Sequence, residues 1–124
     1  MAQIVVVDTS TLISVFENRI NFDAELSELL GSHDVVIPTA VLEELGRVKK
    51  KEAKMALEMS AKYRTFQSRK KGDDAIVEAA KETGSFAVVT NDARLASELV
   101  SEGFRVITLR GRKRLDFRRS DDAI

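Results

Sequence analysis

The sequence predicts a three-layer α/β/α sandwich built on a central parallel sheet of four to five strands. Three observations point there. Apolar, largely β-branched runs recur at residues 4–7, 35–37, 86–89 and 104–109, and the first of them shows no polar alternation, as a strand buried on both faces requires. Stretches of helical periodicity separate these runs, which is the order that right-handed βαβ crossovers produce. With 124 residues, 44% hydrophobic and 32% charged, the composition is that of one globular domain, read here as 1–124 with a basic C-terminal segment from about 110.

Taken in order, the first strand ends abruptly at Asp8, and Thr9, Ser10 and Thr11 are candidate N-caps for a helix through Leu12, Ile13 and Phe16. A second helix spans 23–30, with Leu26, Leu29 and Leu30 at helical spacing and Gly31 as its stop. The strand at 35–37 closes on Pro38, which suits a first helical turn and would be poor inside a central strand. From 38 to about 66 the pattern is helical, as two helices with a break near 46–51. A basic loop at 69–72 precedes a helix over 73–83 that Gly84 ends. The strand at 86–89 stops at Thr90-Asn91-Asp92, a helix follows over 93–101, and the last strand runs over 104–109 into a basic, irregular tail.

Composition excludes several chemistries. Cysteine is absent, which removes disulfides, thiolate zinc sites and a Cys nucleophile; His33 is the single histidine. Lys+Arg and Asp+Glu both number 20, so the net charge is zero. No apolar run approaches the length of a membrane span. Met1-Ala2-Gln3 carries no basic leader, so a cytoplasmic protein is expected. The chemistry left is that of carboxylates, hydroxyls, amides and cations.

In open α/β sheets, ligands bind beyond the carboxyl ends of the strands. Asp8 and Asp92 fall at such ends, and Glu43-Glu44 and Asp73-Asp74 fall near helix starts. On a helical wheel, Glu44 lies about 90° from the centre of the stripe made by Val41, Leu42, Leu45 and Val48, whereas Glu43 lies opposite it. Asp73 precedes Ile76, Val77 and Ala80 by three, four and seven residues and so sits above its helix's core stripe; Asp74 points away. Each acid alone has a plainer reading: Asp73 and Asp92 as helix caps, Glu44 as a solvated flank. Asp8 resists one, because a carboxylate closing an apolar strand is costly unless paired or metal-bound. Four acids at one sheet edge repel one another, and oxygen-only donors favour Mg²⁺ or Mn²⁺ over zinc.

These residues resemble the PIN-domain nucleases. The matching pieces are Val5-Val6-Val7-Asp8-Thr9-Ser10 with Leu12-Ile13, Pro38 with Val41-Leu42-Glu43-Glu44-Leu45, Asp73-Asp74-Ala75-Ile76 with Ala79-Ala80, and Val89-Thr90-Asn91-Asp92 with Leu95. The resemblance implies a metal-dependent hydrolase that cleaves phosphodiester bonds, usually in RNA, with one or two Mg²⁺ or Mn²⁺ ions as cofactor. It assigns Asp8, Glu44, Asp73 (or Asp74) and Asp92 as catalytic and metal-binding acids, with Ser10, Thr90 and Asn91 as hydrogen-bonding supports behind them. Many members carry a further acid where this sequence has Arg94, a departure that weakens a second metal site. The motifs look closer to archaeal and ribosomal-RNA-processing members, while a VapC-type toxin held by an antitoxin also accommodates the size and fold.

An acidic pocket repels RNA, so a separate cationic surface is required. Residues 47–71 hold ten Lys/Arg against two acids, and residues 105–119 hold seven against Asp116. Lys49, Lys50, Lys51, Arg69, Lys70, Lys71, Arg112, Lys113 and Arg114 are the candidate RNA contacts. Tyr63 and Phe66 lie in the first window and read as core by their spacing from Leu57, with base stacking the other option. The 52–66 stretch, with Met55, Leu57 and Met59, offers an apolar surface for a homodimer. Antitoxin or ribosome-assembly proteins are the other partners expected, and a non-catalytic RNA-binding or assembly module on the same fold is the competing reading. A phosphoryl-transfer domain of dehalogenase or response-regulator type is disfavoured, since Ser10 stands where the former needs a second Asp and 109–110 lacks the latter's lysine.

Overall fold

The structure is a computed structural model and describes residues 2–119. Within them the order is β1 (Gln3–Val7), α1 (Thr9–Glu17), α2 (Phe22–Leu30), β2 (His33–Pro38), α3 (Thr39–Arg47), α4 (Lys51–Ser60), β3 (Arg64–Phe66), α5 (Gly72–Thr83), β4 (Ala87–Val89), α6 (Ala93–Ser101), β5 (Arg105–Arg110) and β6 (Arg114–Phe117). The strands form one sheet in the order β3-β2-β1-β4-β5-β6. All pairings are parallel except β5 with β6.

β1 is central because it is the most apolar segment. Val5, Val6 and Val7 are completely buried, and since successive strand side chains face opposite ways, helices must cover both faces. α5 lies against β1 and β2, α6 against β5, and α1, α3 and α4 pack on one another. From β1 the chain proceeds outward through β2 to β3, then returns across the sheet to β4 and β5. The strand order therefore reverses between β1 and β4, and a crevice opens there at the carboxyl ends.

Two strands lie outside the expected set. The helical reading to residue 66 is corrected: α4 ends at Ser60, whose hydroxyl returns to the Ala56 carbonyl at 2.8 Å, and residues 64–66 pair with β2 from Val36 to Pro38. The tail is likewise not irregular over 114–117. Gly111 and Arg112 adopt φ of 63° and 61°, which reverses the chain into a hairpin. Leu115 then reaches the core while Arg114 beside it stays exposed, and the Leu115 N–H donates to Glu25 Oε1 at 2.9 Å, closing part of the outer edge. The sheet thus has six strands where four to five were expected. Residues 120–124 of the tail lie outside the described residues.

The apolar surface expected on 52–66 is mostly used within the chain. Leu57, Met59, Tyr63 and Phe66 pack against the core, which leaves Met55 exposed. The Tyr63 hydroxyl donates to Asp23, so this ring is held at the sheet's far side rather than presented for stacking. Burial and that bond push its pKa up.

Candidate active site

Asp8 follows β1 and, rather than Thr9, Ser10 or Thr11, is the N-cap of α1. Its Oδ1 accepts the Thr11 N–H at 2.9 Å, and its Oδ2 accepts the Thr90 hydroxyl. Asp8 is 7% exposed. Burial raises its pKa above the ordinary carboxylate value, the bonds from Thr11 and Thr90 oppose that rise, and the charge of Asp92 adds to it.

The other acids arrive from three different elements. Asp92 caps α6, accepting the Leu95 N–H at 3.0 Å, while its own N–H donates to Thr90 Oγ1 at 3.1 Å. Glu44 projects from α3 and accepts the Thr9 hydroxyl at 2.8 Å; Glu43 is exposed. Asp73 stands in the first turn of α5, where the acid complements the helix dipole. The cap of that helix is Lys71, without a side-chain bond, so Asp73 does not cap it. Asp73 is exposed like Asp74, yet desolvation of its carboxylate pushes its pKa up, and the charges of Asp92, Asp74 and Glu44 act the same way while Arg94 opposes them.

These four acids line one crevice of about 240 Å³ together with Thr9, Ser10, Ile13, Val48, Gly72 and Ile76. Among the described residues no cationic side chain lines it. Asp74 is exposed and outside it. Thr90 is buried behind Asp8. Asn91 turns the other way: its N–H donates to Thr11 Oγ1 at 3.0 Å and its side-chain oxygen accepts the Leu109 N–H at 2.8 Å, which ties the turn to α1 and β5. The donor set is all oxygen, which suits Mg²⁺ or Mn²⁺. Among the described residues no three of these acids stand close enough together to hold an ion directly; Mg²⁺ commonly keeps several waters of its own.

The basic residues fall in three exposed segments. Lys49, Lys50 and Lys51 follow Val48 at the crevice rim, with Lys50 paired to Glu17 at 2.8 Å. Arg69, Lys70 and Lys71 lead into Gly72 and Asp73. There Arg69 is committed to Glu78 at 3.1 Å and to Glu82. Arg112, Lys113 and Arg114 sit on the β5–β6 hairpin at the same sheet edge. Several contributors carry no signal readable in one dimension. Thr9 meets Glu44 across 35 residues, and the buried Glu78 accepts the Arg69 and Lys70 N–H groups at 3.1 and 3.2 Å, fixing the basic loop.

A mostly parallel sheet with an acid-lined crevice at its switch point defines an α/β domain of PIN type. A family model described as a PIN like domain matches residues 5–112, and the chain belongs to that family. Ribonuclease VapC4 of Methanocaldococcus jannaschii is 32% identical over 120 residues, covering 88% of this chain and 92% of the relative. The solved structure of the PIN domain endonuclease Utp24 matches with a TM-score of 0.81 at 21% identity, covering 98% of this chain and 95% of the other. At that identity the likeness is one of fold.

Proposed function

We propose that this chain is a divalent-metal-dependent ribonuclease that hydrolyses phosphodiester bonds of single-stranded RNA. The observation that carries the reading is that Asp8, Glu44, Asp73 and Asp92 line one crevice with no cation among its described lining residues. The 32% identity to a protein named a ribonuclease supports it.

Bound Mg²⁺ or Mn²⁺ would supply positive charge to the phosphoryl oxygens and an acidified water. Asp8 and Asp92 are the rigid members of the set, each oriented by a helix N–H through one oxygen. Thr90 steadies both, donating to Asp8 and accepting from the Asp92 amide. Thr9 orients Glu44. Desolvation and the charges of Asp92, Asp74 and Glu44 raise the Asp73 pKa, a direction that suits a proton acceptor for the attacking water. The exposed Lys49–Lys51 and Lys70–Lys71 segments border the crevice and would track the RNA backbone. A regulatory or assembly protein, antitoxin or ribosome-assembly factor, would cover the same edge.

The test is cleavage of a short fluorescent single-stranded RNA with Mg²⁺, Mn²⁺ or EDTA, beside Asp8→Asn/Asp92→Asn. Metal-dependent cleavage lost in the double variant supports the reading. Binding without cleavage by the unaltered protein would replace it with an RNA-binding module on the same fold.

A further inference from the structure

Beside the acidic crevice lies a second cavity of opposite character, about 220 Å³, lined among others by Asn91, Thr108, Arg110 and Arg118. Among the described residues no acidic side chain lines it. Thr108 and Arg110 share one face of β5, two residues apart. Arg118 follows β6 and stays alongside β5, its N–H donating to the Val106 carbonyl at 2.7 Å. The Arg110 guanidinium donates to the Phe117 carbonyl at 2.8 Å. Arg118 Nη2 is buried and has no hydrogen-bond partner among the described residues. A buried guanidinium N–H without an acceptor is costly, and the guanidinium fork matches the geometry of a phosphate as it does that of a carboxylate. The nearby Asp116 carboxylate is turned to Arg119, at 3.6 Å, and to the Phe117 N–H.

The two cavities share a wall. Thr90, Asn91 and Ala93 line the basic one and Asp92 lines the acidic one. Residues 90–93 span at most about 14 Å even when fully extended, which puts the two cavities on either side of one short turn. We propose that the cavity of Arg110 and Arg118 is a phosphate subsite that grips the RNA backbone next to the bond placed in the acidic crevice. This rests on the ribonuclease reading for its substrate. Arg118 is the positioning residue; Thr108 and Asn91 form the polar wall, with Asn91 held by the Leu109 amide.

Arg118→Ala, Arg118→Lys and the distant control Lys81→Ala are compared with the unaltered chain after circular dichroism verifies folding. Fluorescence anisotropy with a single-stranded RNA is read in the cleavage-silent Asp8→Asn background over a salt series, and steady-state cleavage in the active background. The expected result for Arg118→Ala is about tenfold weaker binding, a salt slope shallower by about 0.7, and a KM raised with kcat within about twofold. Arg118→Lys keeps the slope and restores part of the affinity, because charge survives while the fork is lost; Lys81→Ala changes neither. Running 5′-hydroxyl and 5′-phosphate RNAs in parallel separates an internal phosphate, where both lose equally, from a terminal one, where the 5′-phosphate RNA alone loses; either supports a phosphate subsite. Affinity and slope unchanged in Arg118→Ala, or no RNA binding by the parent, overturns it. RNA bound through Arg118 but never cleaved would leave the subsite standing and remove the nuclease reading instead.

Discussion

Thr90 is the residue through which the two rigid acids act on each other, and Thr90→Val isolates that link. The side chain is 1% exposed; its hydroxyl donates to Asp8 Oδ2 and accepts the Asp92 N–H at 3.1 Å. Valine keeps the shape and deletes both bonds. Losing a bond to a charged acceptor costs about 1.5–3 kcal/mol, and the orphaned Asp92 amide adds about 1 kcal/mol because it lies partly within reach of water. At neutral pH the variant should therefore be less stable by roughly 2.5–4 kcal/mol, a melting shift of roughly 7–20 °C for a chain of this size. The deficit has a signature in pH. Burial already places the Asp8 pKa above its ordinary 3.8, and the Thr90 bond is one of the contacts holding it down. A folded pKa above the unfolded one favours the protonated native state, so Asp8 costs stability as pH rises through the interval between them. Valine pushes the upper limit of that interval higher. The deficit is then smallest in acid, where Asp8 is neutral in both proteins, and largest at neutrality. Urea denaturation followed by circular dichroism across acidic to neutral pH reads this, with Thr90→Ser as the control that keeps the hydroxyl. A Thr90→Val protein as stable as its parent, or a deficit as large in acid as at neutral pH, refutes the account of an ionised Asp8 held by this hydroxyl.

Three further outcomes follow from the same contacts. Mg²⁺ or Mn²⁺ at about one hundred times its dissociation constant should stabilise the fold by about 2.7 kcal/mol; the shift should vanish in Asp8→Asn/Asp92→Asn, and a parent melting curve indifferent to both ions would remove the metal from the proposal. Arg94 works against the upward pull on the Asp73 pKa, so in Arg94→Ala that pKa rises and the acid limb of the kcat/KM profile moves to higher pH; an unmoved limb would take Asp73 out of the proton-accepting role. Glu78→Gln weakens the grip on the Arg69 and Lys70 amides, so hydrogen exchange should quicken there ahead of the rest of α5, and exchange unchanged at both amides would mean the basic loop is held by something else.

The parts of the fold that could be read in one dimension are those whose signal is local. The runs that became β1 and β4 need no partner to be recognised, since Val5-Val6-Val7 and Ala87-Val88-Val89 show no polar alternation, as a strand covered on both faces requires. Gly84 ends α5 with φ of 61°, a left-handed cap the residue type anticipates. β3 and β6 are strands only because β2 and β5 offer them an edge; their charged residues satisfy a solvated helix or tail equally well, and Leu115 and Phe117 are the whole of the period-two pattern of β6. In the site, the wheel separated Glu44 from Glu43 because amphipathicity is a local property. The Thr9–Glu44 bond and the Arg110–Arg118 cavity depend on tertiary approach and hairpin register, which no window of sequence contains.

Helix capping and substrate chemistry are usually set against each other as explanations for an acid at a strand end. Asp8 and Asp92 show why the opposition is false here. A carboxylate has two oxygens, and each of these residues gives one to an N–H in the first turn of the following helix. That bond contributes about 1 kcal/mol of the usual capping stability and also fixes the direction of the second oxygen, a precondition for holding a ligand without reorganisation. Burial and like charge oppose ionisation of Asp8, and the caps offset part of that cost where it arises. Asparagine caps as well as aspartate, so Asp8→Asn or Asp92→Asn removes the negative charge while leaving the helix start intact, whereas alanine removes both. If the acids served only to begin α1 and α6, the asparagine variants would behave as the parent in every assay and the alanine variants would merely be less stable. If the crevice works as proposed, the asparagine variants fold at least as well as the parent and lose the chemistry.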